Sequence, residues 1–149
     1  MITSEFLCTL DVDVGELVSL GSGPLGERRR VEILGGTFEG PRMKGTVIPG
    51  ADWQLLRQDG VLDLDARYAL RDESGALIHV LSQGMRHGPP EVMACLARGE
   101  SVDPSSYFFR SVMRFETSAP ALDFLNRTIA VATAERKARK VELTAWAIL

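Results

Sequence analysis

Two acidic residues have sequence neighbours that would suit a side chain that transfers protons. Glu39 lies between Phe38 and Gly40 in a glycine-bounded segment, where the apolar neighbour could desolvate the acid and raise its pKa. Asp65 lies two residues before Arg67, so the two side chains share one face of an extended strand. We interpret Glu39 and Asp65 as the candidate catalytic acid or base. The alternative for Glu39 is a side chain that caps a turn by accepting backbone N–H bonds.

The strand that carries Asp65 and Arg67 leaves open which of its faces points inward. If the charged face is interior, the carboxylate and the guanidinium must pair, because an unpaired buried charge is very costly. Arg67, or Arg110 on a strand that could lie across from it, could then bind a carboxylate or enolate oxygen through two N–H groups. If the charged face is exterior, the same residues form a ladder of ion pairs worth under about 1 kcal/mol.

Further binding groups are predicted near a helix and in a glycine-rich stretch. Arg86 and His87 immediately precede a predicted helix, whose positive end disfavours an imidazolium, so a neutral His87 could exchange a proton. Alternatively, His87 only holds its loop in place. Asp52 occupies a setting like that of Glu39, and Trp53 could form a wall of a site or a plug of the interior. The predicted substrate-binding residues are Trp53, Arg67, Arg86, His87, Tyr107, Phe109 and Arg110.

Strands must position most of these side chains. Apolar and polar residues alternate strictly over residues 6–14, and residues 61–71 alternate before a turn at 72–75. One short helix is predicted at residues 89–99, with prolines in its first turn and a glycine at its end. No alternation of strand and helix demands a parallel sheet, and an antiparallel meander of this size removes its edges by closing. The sequence therefore predicts an all-β fold, a closed antiparallel β-barrel of about nine strands, at residues 6–14, 28–34, 42–48, 52–57, 61–71, 76–83, 107–117, 128–134 and 141–148.

Composition limits the class of protein. The 149 residues suit a single domain over 1–149, and 45% hydrophobic with 25% charged residues is ordinary for a folded domain. A net charge of −3 and scattered basic residues argue against nucleic-acid binding. Cys8 and Cys95 form neither a metal motif nor a disulfide framework. The first residues do not show the basic-then-apolar pattern of a signal peptide, and the apolar runs are too short to span a bilayer. We expect a cytoplasmic protein without a metal, a cofactor or a membrane partner.

Six motifs, occurring in order with matching separation, resemble the DUF3237 family, also called UPF0311. They are Gly-Gly-Thr-Phe-Glu-Gly-Pro at 35–41, Pro-Gly-Ala-Asp-Trp at 49–53, Asp-Ala-Arg-Tyr at 65–68, Arg-His-Gly-Pro at 86–89, Tyr-Phe-Phe-Arg at 107–110 and Arg-Phe-Glu at 114–116. The resemblance covers nearly the whole chain. It implies a small closed antiparallel β-barrel, mostly bacterial, in a family with no established general activity.

A barrel of this size has an interior wide enough for one small ligand. Our leading hypothesis is a cofactor-independent enzyme that binds a small carbonyl or carboxylate compound and transfers protons, as in isomerisation, elimination or cyclisation. The first alternative is a ligand-binding module without turnover. The second is a structural subunit of a homo-oligomer, and the sequence does not separate the three.

Overall fold

The computed structural model describes all residues, Met1–Leu149, and forms one closed antiparallel β-barrel. Eight strands follow each other around the barrel in chain order, and the last pairs with the first. A helix, α1 (Pro90–Ala97), lies between the fifth and sixth strands, and two short 3-10 helices lie at Pro104–Ser106 and Pro120–Arg127. The strands are β1 (Ser4–Gly23), β2 (Gly26–Glu39), β3 (Lys44–Arg57), β4 (Leu62–Asp72), β5 (Leu77–His87), β6 (Phe108–Thr117), β7 (Ile129–Arg136) and β8 (Lys140–Ile148).

The predicted fold class is confirmed, with eight strands in place of about nine. The difference lies in the third strand, because the predicted strands 42–48 and 52–57 are one continuous element, β3. An irregularity between Ile48 and Ala51 bends this strand without ending it. β1 also continues past Gly15 to Gly23, because β2 extends alongside it and pairs Leu17 with Val31.

The two ends of the barrel differ in how they are filled. At one end, which we call the plugged end, the 3-10 helix Pro120–Arg127 inserts Leu122 and Leu125 beneath the strands. Large buried side chains fill the interior here, including Phe38, Leu70 and Ile78. The other end, which we call the α1 end, carries the helix and the turns that join β1 to β2, β3 to β4 and β7 to β8. None of the helices is long and apolar enough to cross a membrane.

Candidate active site

A β-bulge decides which residues of β3 face the interior. Ile48 pairs with Ala69 on β4, but Ala51 pairs with Arg67, so β3 contains one residue more than its partner in this interval. Because side chains alternate with a period of two, an unbroken strand from inward-facing Val47 would turn Trp53 inward as well. The extra residue reverses the alternation, so the side chain beside Trp53, Asp52, faces inward instead.

Gly50 allows this bulge to form. A Cβ atom at Gly50 would overlap the carbonyl oxygen of Arg67 and lie only 2.8 Å from Cβ of Tyr68. Neither neighbouring atom is the flexible end of a side chain, so they cannot move aside cheaply. The glycine of the Pro-Gly-Ala-Asp-Trp motif therefore lets β3 and β4 approach each other next to Asp52.

The interior contains a cavity of about 100 Å³ between the filled core and the α1 end. Eighteen residues line it, and 11 of them are hydrophobic, so any molecule that fits has a partly apolar body. Side chains of modest size, including Ala66, Ser82 and Ser111, stand where larger ones would fill the barrel. The other seven lining residues are Arg29, Asp52, Gln54, Ser82, Arg86, Ser111 and Arg136, and Tyr68, counted among the hydrophobic ones, adds a hydroxyl group.

A chain of hydrogen bonds holds the carboxylate of Asp52. Nη2 of Arg29 donates to Oε1 of Gln54 at 3.0 Å, and Nε2 of Gln54 donates to Oδ2 of Asp52 at 2.9 Å. The backbone N–H of Asp65 donates to Oδ1 of Asp52 at 3.0 Å. Since Arg29 can only donate, it fixes the amide of Gln54 with its NH₂ group toward the carboxylate.

The environment of Asp52 raises its pKa above the ordinary value. Burial is the largest cause, because it disfavours the charged form of the acid. The hydrogen bonds from Gln54 and from the N–H of Asp65, together with the positive charge of Arg86, act in the opposite direction. Asp52 is thus a mostly buried acid with a raised pKa that faces a cavity, which is the usual setting of a proton-transferring carboxylate.

Three arginines face the same cavity from different strands. Burial lowers the pKa of Arg29, Arg86 and Arg136, and for Arg86 the charges of the other two lower it further. The Nε atoms of Arg29 and Arg86 are buried and have no hydrogen-bond partner in the protein. Nη1 of Arg29 also lies 3.9 Å from Oε1 of Glu27. Three guanidinium groups therefore face two carboxylates, and the remaining positive charge favours an anion with oxygen acceptors.

Of the predicted binding residues, the cavity contains Arg86 and Phe109. They are direct neighbours on β5 and β6, and the guanidinium of Arg86 lies 5.5 Å from the centre of the Phe109 ring. Tyr107 is buried close by, but its hydroxyl accepts a hydrogen bond from the backbone N–H of Arg136 at 2.9 Å. Tyr107 therefore supports the strand that presents Arg136 and does not line the cavity.

The two predicted catalytic acids lie outside this cavity. Glu39 stands at the plugged end with 72% of its side chain exposed, 4.0 Å from Nζ of Lys44. Asp65 and Arg67 lie on the outer face of β4, with side chains 42% and 61% exposed and a 4.0 Å separation between Oδ1 and Nε. This position agrees with the alternative interpretation, in which Asp65 and Arg67 form an ion pair on the exterior face of the strand. Neither carboxylate can therefore act on a molecule inside the barrel.

The other predicted binding residues also lie on the outside. Trp53 is half exposed and packs under the guanidinium of Arg30, 5.5 Å from the ring centre. His87 stacks on Phe108 at 4.8 Å, and Arg110 lies over the same ring at 5.5 Å. These residues form outer-surface stacks because they occupy the outward positions of their strands.

The comparisons with known proteins agree with this fold. The family model described as "Protein of unknown function (DUF3237)" matches residues 2–148. The chain belongs to this family. A UPF0311 protein of Rhodopseudomonas palustris is 36% identical over 99% of this chain and 97% of its own. The crystal structure of the conserved protein of unknown function from that species has a TM-score of 0.95 at 35% identity, covering 100% of this chain and 98% of the other.

Two further solved structures share the barrel. A beta-barrel like protein from Acinetobacter baumannii AYE is 40% identical with a TM-score of 0.87, covering 100% of this chain and 97% of its own. A structure described as an enzyme from Penicillium herquei is 22% identical with a TM-score of 0.76, covering 99% of this chain and 95% of its own. At that identity the Penicillium structure shows a common fold alone.

Several polar residues of this cavity were not among the predicted site residues. The alternation of β2 places Arg29 on the same face as Val31 and Ile33, and β7 likewise continues an apolar row of alanines into Arg136. The inward orientation of Arg29 and Arg136 could have been inferred from the sequence, because each arginine continues the apolar face of its strand. Gln54 carries no such signal, because its orientation depends on the bulge.

No three His, Cys, Asp or Glu side chains form a group that could hold a metal ion.

Proposed function

We propose that this protein is a cofactor-independent acid–base enzyme that acts on a small carbonyl or carboxylate compound inside the barrel. The observation that carries this proposal is the position of Asp52, a mostly buried carboxylate that faces the same cavity as Arg29, Arg86 and Arg136. In this proposal Asp52 transfers the proton and the arginines bind the negative charge. The residues that lie on the outer surface have no part in it.

The electrostatics of the cavity support this division of roles. A carboxylate or enolate oxygen at Arg86 supplies the acceptor that its Nε lacks within the protein. The surrounding low-dielectric interior strengthens that attraction relative to water. An anion held there would place its neighbouring carbon atoms near Asp52, because both groups face one small space.

The proton transfer balances without a further reactant. Asp52 takes a proton from a carbon next to a carbonyl, and the electrons of the C–H bond form a C=C bond while the carbonyl π pair moves to oxygen. The hydrogen-bond donors that line the cavity stabilise that oxyanion. If a C=C bond is conjugated with that enolate, return of the proton to the far carbon of the conjugated system completes an isomerisation. If the carbon next to the deprotonated carbon bears a leaving group, re-formation of the carbonyl expels that group with its bonding electrons and completes an elimination.

The cavity limits the size of the compound. A cavity of about 150 Å³ lined by apolar residues can hold benzene. The volume here is about 100 Å³, so the enclosed part of a ligand is no larger than one small ring or a short chain. The apolar part of the lining, which includes Val12, Ile33 and Leu143, suits a hydrocarbon body behind the anionic group.

A non-catalytic binding module is the second candidate. It is supported by the unpartnered Nε atoms of Arg29 and Arg86, which suit an anion whether or not it reacts.

The description of the Penicillium herquei barrel as an enzyme supports catalysis in a barrel of this fold. The two free cysteines, Cys8 and Cys95, support a cytoplasmic location for either function.

Proton exchange into deuterated water tests catalysis directly. The probe is 4-oxopentanoate, whose protons next to the ketone disappear from the proton NMR spectrum as deuterium replaces them. We expect the wild type to accelerate this loss, and Asp52→Asn to reduce the acceleration by about 100-fold or more, the usual contribution of a positioned acid or base. Asp65→Asn is the matched control, since it removes the outward-facing carboxylate of the neighbouring strand.

The outcomes separate the candidates. If Asp52→Asn exchanges the probe as fast as the wild type, Asp52 is not the acid–base group and the proposal is wrong. If the wild type binds the probe without any exchange above buffer, the binding module replaces the enzyme.

A further inference from the structure

Three hydroxyl side chains form a diagonal row across the inner face of β4, β5 and β6. Ser82 pairs with Ala66, which places Tyr68 diagonally across from it. Ser111 pairs with Gly84, which places Ser82 diagonally across from Ser111. Diagonal neighbours on one face are about 7–8 Å apart, close enough for their side chains to contact one molecule between them. All three residues line the cavity, and we call them the hydroxyl row.

The three residues of the hydroxyl row are largely buried, and one of their hydroxyl oxygens is fully enclosed without a hydrogen-bond partner. Tyr68 is 7% exposed, and Ser82 and Ser111 are each 6% exposed. Oγ of Ser111 has no partner in the protein. The hydroxyl of Tyr68 takes part in no hydrogen bond either, whereas that of Tyr107 accepts one from the backbone. Since buried hydroxyls are usually satisfied, this arrangement indicates a ligand oxygen as the missing partner.

The hydroxyl row and the arginines occupy different levels of the barrel. On β5, Arg86 lies four residues closer to the α1 end than Ser82. Arg29 lies three residues into β2 and Arg136 is the last residue of β7, so both also lie toward the α1 end. The cavity thus has a positively charged level toward the α1 end and a level of hydroxyl groups toward the plugged end. Asp52, which pairs with Ala66 opposite Ser82, lies at the hydroxyl level.

Tyr68 can serve as a donor over a wide pH range. Burial raises the pKa of its hydroxyl, and the negative charge of Asp52 contributes in the same direction. The phenol therefore stays protonated and can donate to a carbonyl oxygen or to an oxyanion.

We infer that the hydroxyl row is a second oxygen-binding subsite and that the ligand is an oxo acid or a hydroxy acid, not a simple carboxylic acid. The carboxylate binds at the arginines, and the carbonyl or hydroxyl oxygen binds at Tyr68 and its serine neighbours. This inference rests on the proposed anion site. It adds the requirement for a second oxygen at the opposite level of the cavity.

Matched ligand pairs test the inference without requiring turnover. In 4-oxopentanoate and 4-methylpentanoate a carbonyl oxygen is exchanged for a methyl group of similar size, and 5-oxohexanoate with 5-methylhexanoate forms a longer pair. Calorimetric titration of the wild type should favour the oxo member of at least one pair by about fivefold or more, the value of one hydrogen bond. Tyr68→Phe should lose that preference while still binding the methyl member. Tyr107→Phe is the control, because it removes a buried hydroxyl that lies outside the cavity lining, and the oxo preference should remain.

Each other outcome overturns a defined part of the account. Equal binding of both members to the wild type, or an unchanged oxo preference in Tyr68→Phe, would overturn the hydroxyl subsite and leave the anion site standing. If no acid of either pair binds the wild type, the anion site is wrong and the hydroxyl subsite fails with it.

Discussion

The backbone N–H of Asp65 donates to Oδ1 of Asp52 at 3.0 Å, although the side chain of Asp65 points to the outer surface. The two aspartates therefore lie on opposite faces of adjacent strands, and only Asp52 faces the cavity. The bulge in β3 produces this arrangement, because it turns Asp52 and Gln54 inward while β4 keeps a regular alternation. A shift of one residue in the register of β3 would turn Asp52 to the outer surface and Trp53 to the interior.

Replacement of Gly50 tests the role of the bulge. Gly50→Ala should destabilise the protein by about 2 kcal/mol or more, because the new methyl group overlaps the backbone of β4. The free energy of unfolding, measured by denaturant titration, checks this. Gly23→Ala is the control, since a Cβ there meets no atom within 4 Å and the expected change is within about 0.5 kcal/mol. Equal effects of the two substitutions would contradict the proposed role of Gly50.

Gln54 should stabilise the site by linking two buried charges. Gln54→Ala removes the partner of Arg29 and one of the two hydrogen bonds to Asp52, leaving buried polar groups without partners. We expect a loss of about 1–3 kcal/mol in the free energy of unfolding. Gln83→Ala provides the comparison, because Gln83 is exposed and its contact with Asp65 is long, at 3.4 Å. A Gln54 variant as stable as the Gln83 variant would mean that the chain of hydrogen bonds contributes nothing.

The raised pKa of Asp52 predicts a pH dependence of stability. Its folded-state pKa lies above the unfolded value, so its favourable contribution is complete below the unfolded pKa and is lost as pH rises through the folded pKa. Asp52→Asn has no such titration. The Tm of this variant minus that of the wild type should therefore increase as pH rises from about 4 toward 7.

Thermal melts across that pH range measure the difference. Asp65→Asn provides the comparison for removal of a partly exposed carboxylate from the neighbouring strand. A difference for Asp52→Asn that stays constant or shrinks with rising pH would show that the pKa of Asp52 is not raised in the folded protein.

The two thiols should differ in reactivity. Cys8 is fully buried, and burial raises its pKa to about 12, so almost no thiolate forms at neutral pH. Cys95 is only partly buried on α1. A chromogenic disulfide reagent should titrate one thiol in the native protein and two after denaturation, and Cys95→Ser should leave none reactive in the native state. Rapid reaction of both native thiols would contradict the closed interior around Cys8.

The barrel could be predicted from the sequence because its main signal is local. Strict alternation in residues 6–14 and 61–71 and the turn at 72–75 needed no long-range information, and the family motifs agreed with them. Arg86 and Phe109 lie in those motifs, and both line the cavity. The predicted binding residues included Trp53 and not its neighbour Asp52, whereas in the structure Asp52 lines the cavity and Trp53 lies on the outer surface.

The remaining site residues depend on information that the sequence does not carry locally. Whether Asp52 or Trp53 points inward depends on one extra residue in β3, which is visible only once β3 is paired with β4. The prediction that Asp65 acts inside the barrel has a related cause. The alternation of a strand separates its side chains into two faces but does not indicate which face is interior. Glu39 lies in a dense motif whose glycines serve close strand packing, as at Gly36 and Gly40, where a Cβ would overlap the backbone of β1.

The central claim, that the barrel interior is an anion-binding site, is tested most directly by replacing one inward and one outward arginine. Arg86→Met removes a cavity cation, and Arg67→Met removes an exposed cation from the adjacent strand. The measurement is the shift in Tm that a saturating concentration of 4-oxopentanoate produces in each protein. We predict a shift of several degrees in the wild type and in Arg67→Met, and none in Arg86→Met. A shift that persists in Arg86→Met and disappears in Arg67→Met would place the anion on the outer surface and contradict the account.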